Sequence, residues 1–274
     1  MQPAAEHRDQ APVVSLPPLR PSVKHVRYRD LPEAPAPLGP DDSAVFRLED
    51  PVIITIDGPA GTGKSSVARA LARLLGLDFL DTGAMYRAAA AIALDGALSL
   101  HDPAALVEKV RTADLHFDWS MDPPAILAWG RSLNDRIRAA DVTGIVSPIA
   151  GIRDLRAHMV AKQRIIARQH PRLVSEGRDQ GSVVFPDASV KFYLDASAKV
   201  RAARRAKQLR AAGLPADEAL LLTDIEARDR SDMTRSDGPL VIPHAAIILD
   251  TSHLPMDDVV LHLERIVRRE AARK

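Results

Sequence analysis

From residue 51 onward the hydrophobic positions follow two rhythms, and their alternation lays out the chain. Residues 52–56 are a short, β-branched apolar run that reads as a buried strand. Residues 65–75 carry Val67, Ala70, Leu71, Leu74 and Leu75 at helical spacing and meet Gly76, a residue suited to closing a helix. Residues 77–80 predict a strand, and the Ala-rich stretch 83–94 a helix. Residues 114–135 break this rhythm. Segments 114–119, 125–129 and 131–134 predict three short strands, turned at Asp122-Pro123-Pro124 and around Gly130, as an antiparallel insert forming a separate lobe. Helical spacing resumes over 136–170 through Val142, Val146, Ile149, Ile152, Leu155, Met159 and Ile166, with a break expected at Pro148. Strands follow at 173–174 and 190–194, two Arg-rich helices at 197–212 and 215–230, a strand at 247–249 and an amphipathic helix at 256–269. Such alternation implies a parallel sheet covered on both faces, an α/β fold. No internal repeat is visible.

Residues 1–50 lack any periodic apolar face and hold nine of the 21 prolines. Such a stretch buries too little surface to offset its ordering entropy, so a mostly disordered arm is expected. It has no continuous apolar run of a signal peptide, and Glu6, Asp9, Asp30, Glu33, Asp41 and Asp42 count against a transit peptide. Lys+Arg number 37 against 36 Asp+Glu, a formal charge of +1, which gives no global electrostatic case for nucleic acid or an anionic membrane. The chain has no cysteine, which excludes disulfides, thiolate metal sites and a Cys nucleophile, and makes a reducing, cytoplasmic setting the expectation. No apolar run approaches the ~20 residues that span a bilayer. A monomer is expected.

The chemistry begins at Gly58-Pro59-Ala60-Gly61-Thr62-Gly63-Lys64-Ser65, which fits G-x-x-x-x-G-K-[ST] between the first strand and the first helix. In that context the loop wraps its N–H groups around phosphate oxygens, and the helix N-terminus adds positive potential. Lys64 is placed to bridge the β- and γ-phosphates and Ser65 to ligate Mg²⁺. A dinucleotide fingerprint would need a third glycine where Ser66 stands.

Four further stretches narrow the reading. Asp81-Thr82-Gly83-Ala84-Met85-Tyr86-Arg87 sets a hydroxyl, a phenol and a guanidinium at the start of a helix, suiting a second anion. Glu176-Gly177-Arg178-Asp179 follows a strand, where ligand crevices of open α/β sheets lie, and Glu176 is placed to assist a Mg²⁺ shell. Arg201, Arg204 and Arg205 share one helix, and Arg228, Asp232 and Arg235 fall at i, i+4 and i+7 on one helical side. Each Arg row alone reads more readily as a solvated face with acid partners than as a site. Together with a phosphate loop they suit phosphoryl transfer, where positioning and charge neutralisation dominate.

At these residues the chain resembles the bacterial cytidylate kinases. The resemblance covers residues 51–270 and is carried by 56–65, by 80–87, by 228–235 with Pro239-Leu240, and most specifically by Glu176-Gly177-Arg178-Asp179-Gln180-Gly181-Ser182-Val183-Val184-Phe185-Pro186-Asp187-Ala188. It implies a three-layer P-loop core (51–81, 171–198 and 236–274), a nucleoside-monophosphate region at about 82–170 and a short helical lid at about 199–235. The implied reaction moves the γ-phosphoryl group of ATP to CMP or dCMP with Mg²⁺. ATP would lie on residues 58–66: Gly58, Pro59, Ala60, Gly61, Thr62, Gly63, Lys64, Ser65 and Ser66. Thr82, Ser147, Arg156 and Asp179 would line the base pocket, with Tyr86 beside the acceptor nucleotide. Arg87, Arg178 and Arg235 would hold its phosphate, and Arg228 and Asp232 its sugar; Arg201, Arg204 and Arg205 would face the ATP phosphates. Gln180 departs from the pattern, standing where an aliphatic residue is more usual, and is expected not to touch the chemistry. Another P-loop small-molecule kinase, or a non-catalytic nucleotide-binding regulator using the Pro-rich arm, stays open from the residues alone.

Overall fold

In a computed structural model, which describes residues 24–26 and 51–271, the main sheet is parallel throughout. In chain order the strands are Lys24–Val26 (β1), Val52–Asp57 (β2), Asp78–Asp81 (β3), the insert strands His116–Asp118 (β4), Ala125–Ala128 (β5) and Arg131–Ser132 (β6), then Arg172–Gly177 (β7), Val190–Asp195 (β8) and Ile247–Asp250 (β9). The large sheet runs β1-β9-β8-β2-β7-β3, and β4-β5-β6 form a separate antiparallel sheet. The helices are Lys64–Leu75 (α1), Thr82–Asp95 (α2), Pro103–Thr112 (α3), Ala140–Ala150 (α4), Arg153–Gln169 (α5), Ala198–Ala211 (α6), Glu218–Thr234 (α7) and Met256–Ala271 (α8).

Alternation along the strands feeds two cores. On one face Ile54, Ile56, Val174, Phe192 and Leu194 pack against Val67 and Leu71 of α1 and Val259, Leu263 and Val267 of α8. On the other, Leu80 and Leu173 join α2, α4 and α5, where Ile149, Leu155 and Met159 are buried. Burying each such side chain contributes about 1.5–3 kcal/mol, so the three layers account for most of what holds the sheet. Ala88, Ala89, Ala90 and Ala91 make α2 slender enough for neighbours to approach on all sides. This second core continues through Phe117, Ile126 and Ala128, so the antiparallel insert is not the separate lobe expected but a wall of the main body. Its β4–β5 turn is also fastened to α1, where Arg69 Nε donates to Asp122 Oδ1 at 3.0 Å and Arg73 Nε to Asp122 Oδ2 at 2.6 Å.

Other departures from expectation have local causes. The long helical stretch breaks at Gly151-Ile152, between α4 and α5, while Pro148 lies inside the last turn of α4. A proline there removes one N–H-to-carbonyl bond of the helix, which ends two residues later. Helix α3 is absent from the pattern reading although it carries Asp102 as N-cap and Pro103 at its first position. The expected arm at 1–50 lies outside the described residues except for β1, which pairs with β9 in the register Lys24↔Ile247 to Val26↔Leu249. Edge pairing of this kind uses backbone groups and needs no apolar face. Among the described residues no helix is long and apolar enough to cross a membrane.

Candidate active site

The C-terminal ends of β2, β7 and β3 open onto one cleft of about 1510 Å³. At its floor, Gly63 caps α1 and Lys64 opens it, so the loop after β2 feeds directly into the helix N-terminus. Gly58 has φ 144° and lies against the Leu194 carbonyl of β8, where a Cβ would collide, so the loop can start only at a glycine. Lys64 is 5% exposed and donates to Pro59 O at 2.7 Å. Ser65 Oγ donates to Glu176 Oε1 at 2.7 Å, bringing a loop hydroxyl and a carboxylate together as hard oxygen donors. Burial lowers the Lys64 ammonium to about 7, with Arg178 pushing the same way. Burial also raises the Glu176 carboxyl to about 7, with Asp81 adding to the rise.

Across the cleft α7 and the strand end of β7 contribute a guanidinium cluster. Arg178 Nε donates to Asp232 Oδ2 at 2.9 Å, and Asp232 also faces Arg235 NH1 at 3.7 Å. Arg235 Nε in turn donates to Gly238 O at 2.6 Å. Arg228 is lowered to about 10, first by burial and then by Arg178, and its Nε finds no protein acceptor. Burial likewise leads the lowering at Arg235, with Arg156 next. Cations that repel one another in a low-dielectric cleft are the counterpart of a polyanion, which would relieve all of them at once.

Deeper in the cleft, Arg156 of α5 pairs through NH2 with Asp179 Oδ2, both side chains being almost fully buried, and Arg156 NH1 donates to Ala150 O at 3.1 Å. Arg156 also lies over the Tyr86 ring, 5.6 Å from its centroid. The Tyr86 hydroxyl is buried without a partner, and burial pushes it up to about 12. Thr82 Oγ1 donates to Glu176 O at 2.7 Å, linking the start of α2 to the end of β7. Gly238, at φ 56°, closes over the pair; a Cβ there would run into Arg156 NH2 and Asp179 Oδ2.

Of the residues singled out from sequence, 60–66, Thr82, Tyr86, Arg87, Ser147, Arg156, Glu176, Arg178, Asp179, Arg204, Arg205, Arg228, Asp232 and Arg235 all line this cleft. Gly58 and Pro59 shape the loop without lining it. Arg87 reaches Asp81 Oδ2 at 2.7 Å, and Arg204 NH2 holds Thr251 O at 2.5 Å. Arg201 does not face the cleft as expected. It lies behind the loop, donating to Ala60 O at 3.1 Å, Ala196 O at 2.8 Å and Asp229 Oδ2 at 2.6 Å, because an ion pair between α6 and α7 claims its fork. Three residues were missed. Arg138 and Lys207 line the cleft, and nothing but their charge marks them in the sequence. Asp57 is fully buried at the end of β2 and accepts the backbone N–H groups of Gln180 at 2.8 Å and Gly181 at 2.7 Å. Its place just before the phosphate loop was the available signal.

A phosphate loop on a parallel three-layer fold, opposite a cleft ringed by guanidinium groups, defines a P-loop kinase. The model of the family described as cytidylate kinase matches residues 54–269. A cytidylate kinase from Nocardia farcinica is 42% identical over 222 residues, 81% of this chain and 96% of that one. Others from Rhodococcus jostii (44% identical, covering 79% and 94%) and Methylococcus capsulatus (43%, covering 76% and 93%) agree over the same region. The chain belongs to the cytidylate kinase family.

Proposed function

We propose that this kinase transfers the γ-phosphoryl group of ATP to CMP or dCMP, giving ADP and CDP or dCDP for pyrimidine nucleotide metabolism in the cytoplasm. The observation that carries the reading is that one cleft holds both the phosphate loop and the buried Arg156–Asp179 pair. A carboxylate beside a guanidinium matches cytosine, whose N4 amino group donates while O2 and N3 accept. Uracil would set its O4 against Asp179, acceptor to acceptor.

In this reading the loop amides of residues 58–66 and Lys64 hold the donor phosphates, and Arg204 and Arg205 meet them from α6. Arg201 serves them indirectly, fixing the loop through Ala60 O. Arg87, Arg178 and Arg235 hold the acceptor phosphate, Arg228 and Asp232 the sugar, and Thr82, Tyr86, Ser147, Arg156 and Asp179 the base. The domain assignment follows: core at 51–81, 171–198 and 236–274, monophosphate region at about 82–170, lid at about 199–235. Ser65 and Glu176 fit Mg²⁺, since they offer hard oxygens 2.7 Å apart and leave the remaining positions to phosphates. Held by these two residues, Mg²⁺ would supply charge neutralisation to the transferring group.

A coupled assay of ATP consumption tests this with CMP, dCMP, UMP and AMP as acceptors. The expected result is turnover with CMP or dCMP at a kcat/KM well above UMP and AMP. Equal use of all four would overturn the assignment.

A further inference from the structure

Gln180 was expected to stand apart from the chemistry, yet its side chain reaches the base-pocket carboxylate. It is fully buried in the turn after β7. Its Oε1 accepts from Ser175 Oγ at 2.8 Å, and its Nε2 donates to Gln163 Oε1 at 3.2 Å and to Asp179 Oδ1 at 3.3 Å. The amide has only one sensible orientation. Turned over, its oxygen would oppose the Asp179 carboxylate, which has no proton to offer. The backbone is fixed as well, because Asp57 accepts the Gln180 N–H at 2.8 Å.

Asp179 is therefore gripped at both oxygens, by Arg156 at Oδ2 and by Gln180 at Oδ1. A carboxylate accepts about four hydrogen bonds, so each oxygen keeps a lone pair for a ligand donor. An aliphatic side chain at 180 would leave the orientation of Asp179 to Arg156 alone. A buried amide costs desolvation and side-chain entropy, and here that cost is offset by a network ending on the group that reads the base. We propose that Gln180 is a positioning residue for base selectivity, holding Asp179 so that its carboxylate meets the amino group of cytosine. The proposal rests on the CMP reading above.

The test compares wild type with Gln180→Met, which keeps length but removes the donor, and with Ser175→Ala. The latter loosens the same network while leaving the amide contact with Asp179. For Gln180→Met, kcat/KM for CMP should fall about fivefold to twentyfold through KM, and the CMP-over-UMP ratio should fall with it, as expected for a lost hydrogen bond to a charged acceptor. The KM for ATP and kcat at saturating CMP should hold, and Ser175→Ala should keep the wild-type ratio. Gln180→Leu makes the same comparison if Gln180→Met is not recovered folded. An unchanged ratio in the folded variant overturns the proposal, and so does an equal fall in Ser175→Ala, which would make the network merely structural. A wild type without preference for CMP would overturn the CMP reading itself, a result distinguishable from the other two.

Discussion

Lys64 shares its surroundings with Arg178 and Arg228, and burial together with these like charges brings its ammonium down to about 7. At mildly alkaline pH burial therefore favours the neutral amine of Lys64 in the free protein, and a bound triphosphate favours its charged form. Nucleotide binding at that pH should take up a proton. Calorimetry in buffers of different ionisation enthalpy would show it as a buffer-dependent binding enthalpy, and its absence would contradict the assignment. Glu176, raised only to about 7, is already mostly ionised there and adds little. Lys64→Ala should lower kcat by about a hundredfold or more while the protein still unfolds in one cooperative thermal transition, since Lys64 belongs to the loop and to neither apolar core. At this scale most of the site was legible, because a loop glycine, a lysine or an arginine at a strand end carries its chemistry in its identity. Asp57 and Gln180 were not. Asp57 matters through Gly181, 124 positions away, and Gln180 is turned toward its neighbour Asp179 by a network that reaches Gln163, 17 positions away, which no local pattern reveals.

Helices α6 and α7 show what an element adds to its residues. The Arg201–Asp229 ion pair joins them with both side chains largely buried, and Asp229 Oδ1 already lacks a partner. Removing only the cation should leave a buried carboxylate uncompensated, so Arg201→Met is expected to destabilise the protein by about 3–5 kcal/mol. Adding Asp229→Leu should recover most of that loss; chemical denaturation of the single and double variants would measure both. If the double variant were no more stable than the single, the pair would not be what holds these helices. The sequence foretold that both helices are Arg-rich, but periodicity cannot distinguish a guanidinium facing phosphate from one tied to a neighbouring helix. The same limit explains the insert. Its three strands were legible from alternation and turns, whereas its packing on α2 depends on a run of small alanines that looks featureless in one dimension.

For the whole molecule, the sheet order puts β2 between β8 and β7, so the phosphate loop emerges beside the strand that carries Glu176 near its end and leads into Arg178 and Asp179. That topology brings the phosphate loop and the residues after β7, more than 100 positions apart in sequence, into one cleft. Parallel order was implied by the alternation of strands and helices, but which strands would be neighbours was not. In the proposed reading the cleft selects cytosine by polarity, through Asp179. Cytosine and uracil have almost the same shape, so a site that merely fits cannot separate them, whereas an unpaired buried acceptor costs about 1–3 kcal/mol and more if charged. The most direct measurement is the ratio of kcat/KM for CMP over UMP in wild type and in Asp179→Asn. The wild-type ratio should be at least about tenfold and should collapse in the variant, whose amide can turn its NH₂ toward O4 of uracil, with the KM for ATP unmoved. A ratio that survives the substitution while both acceptors slow equally would contradict the account.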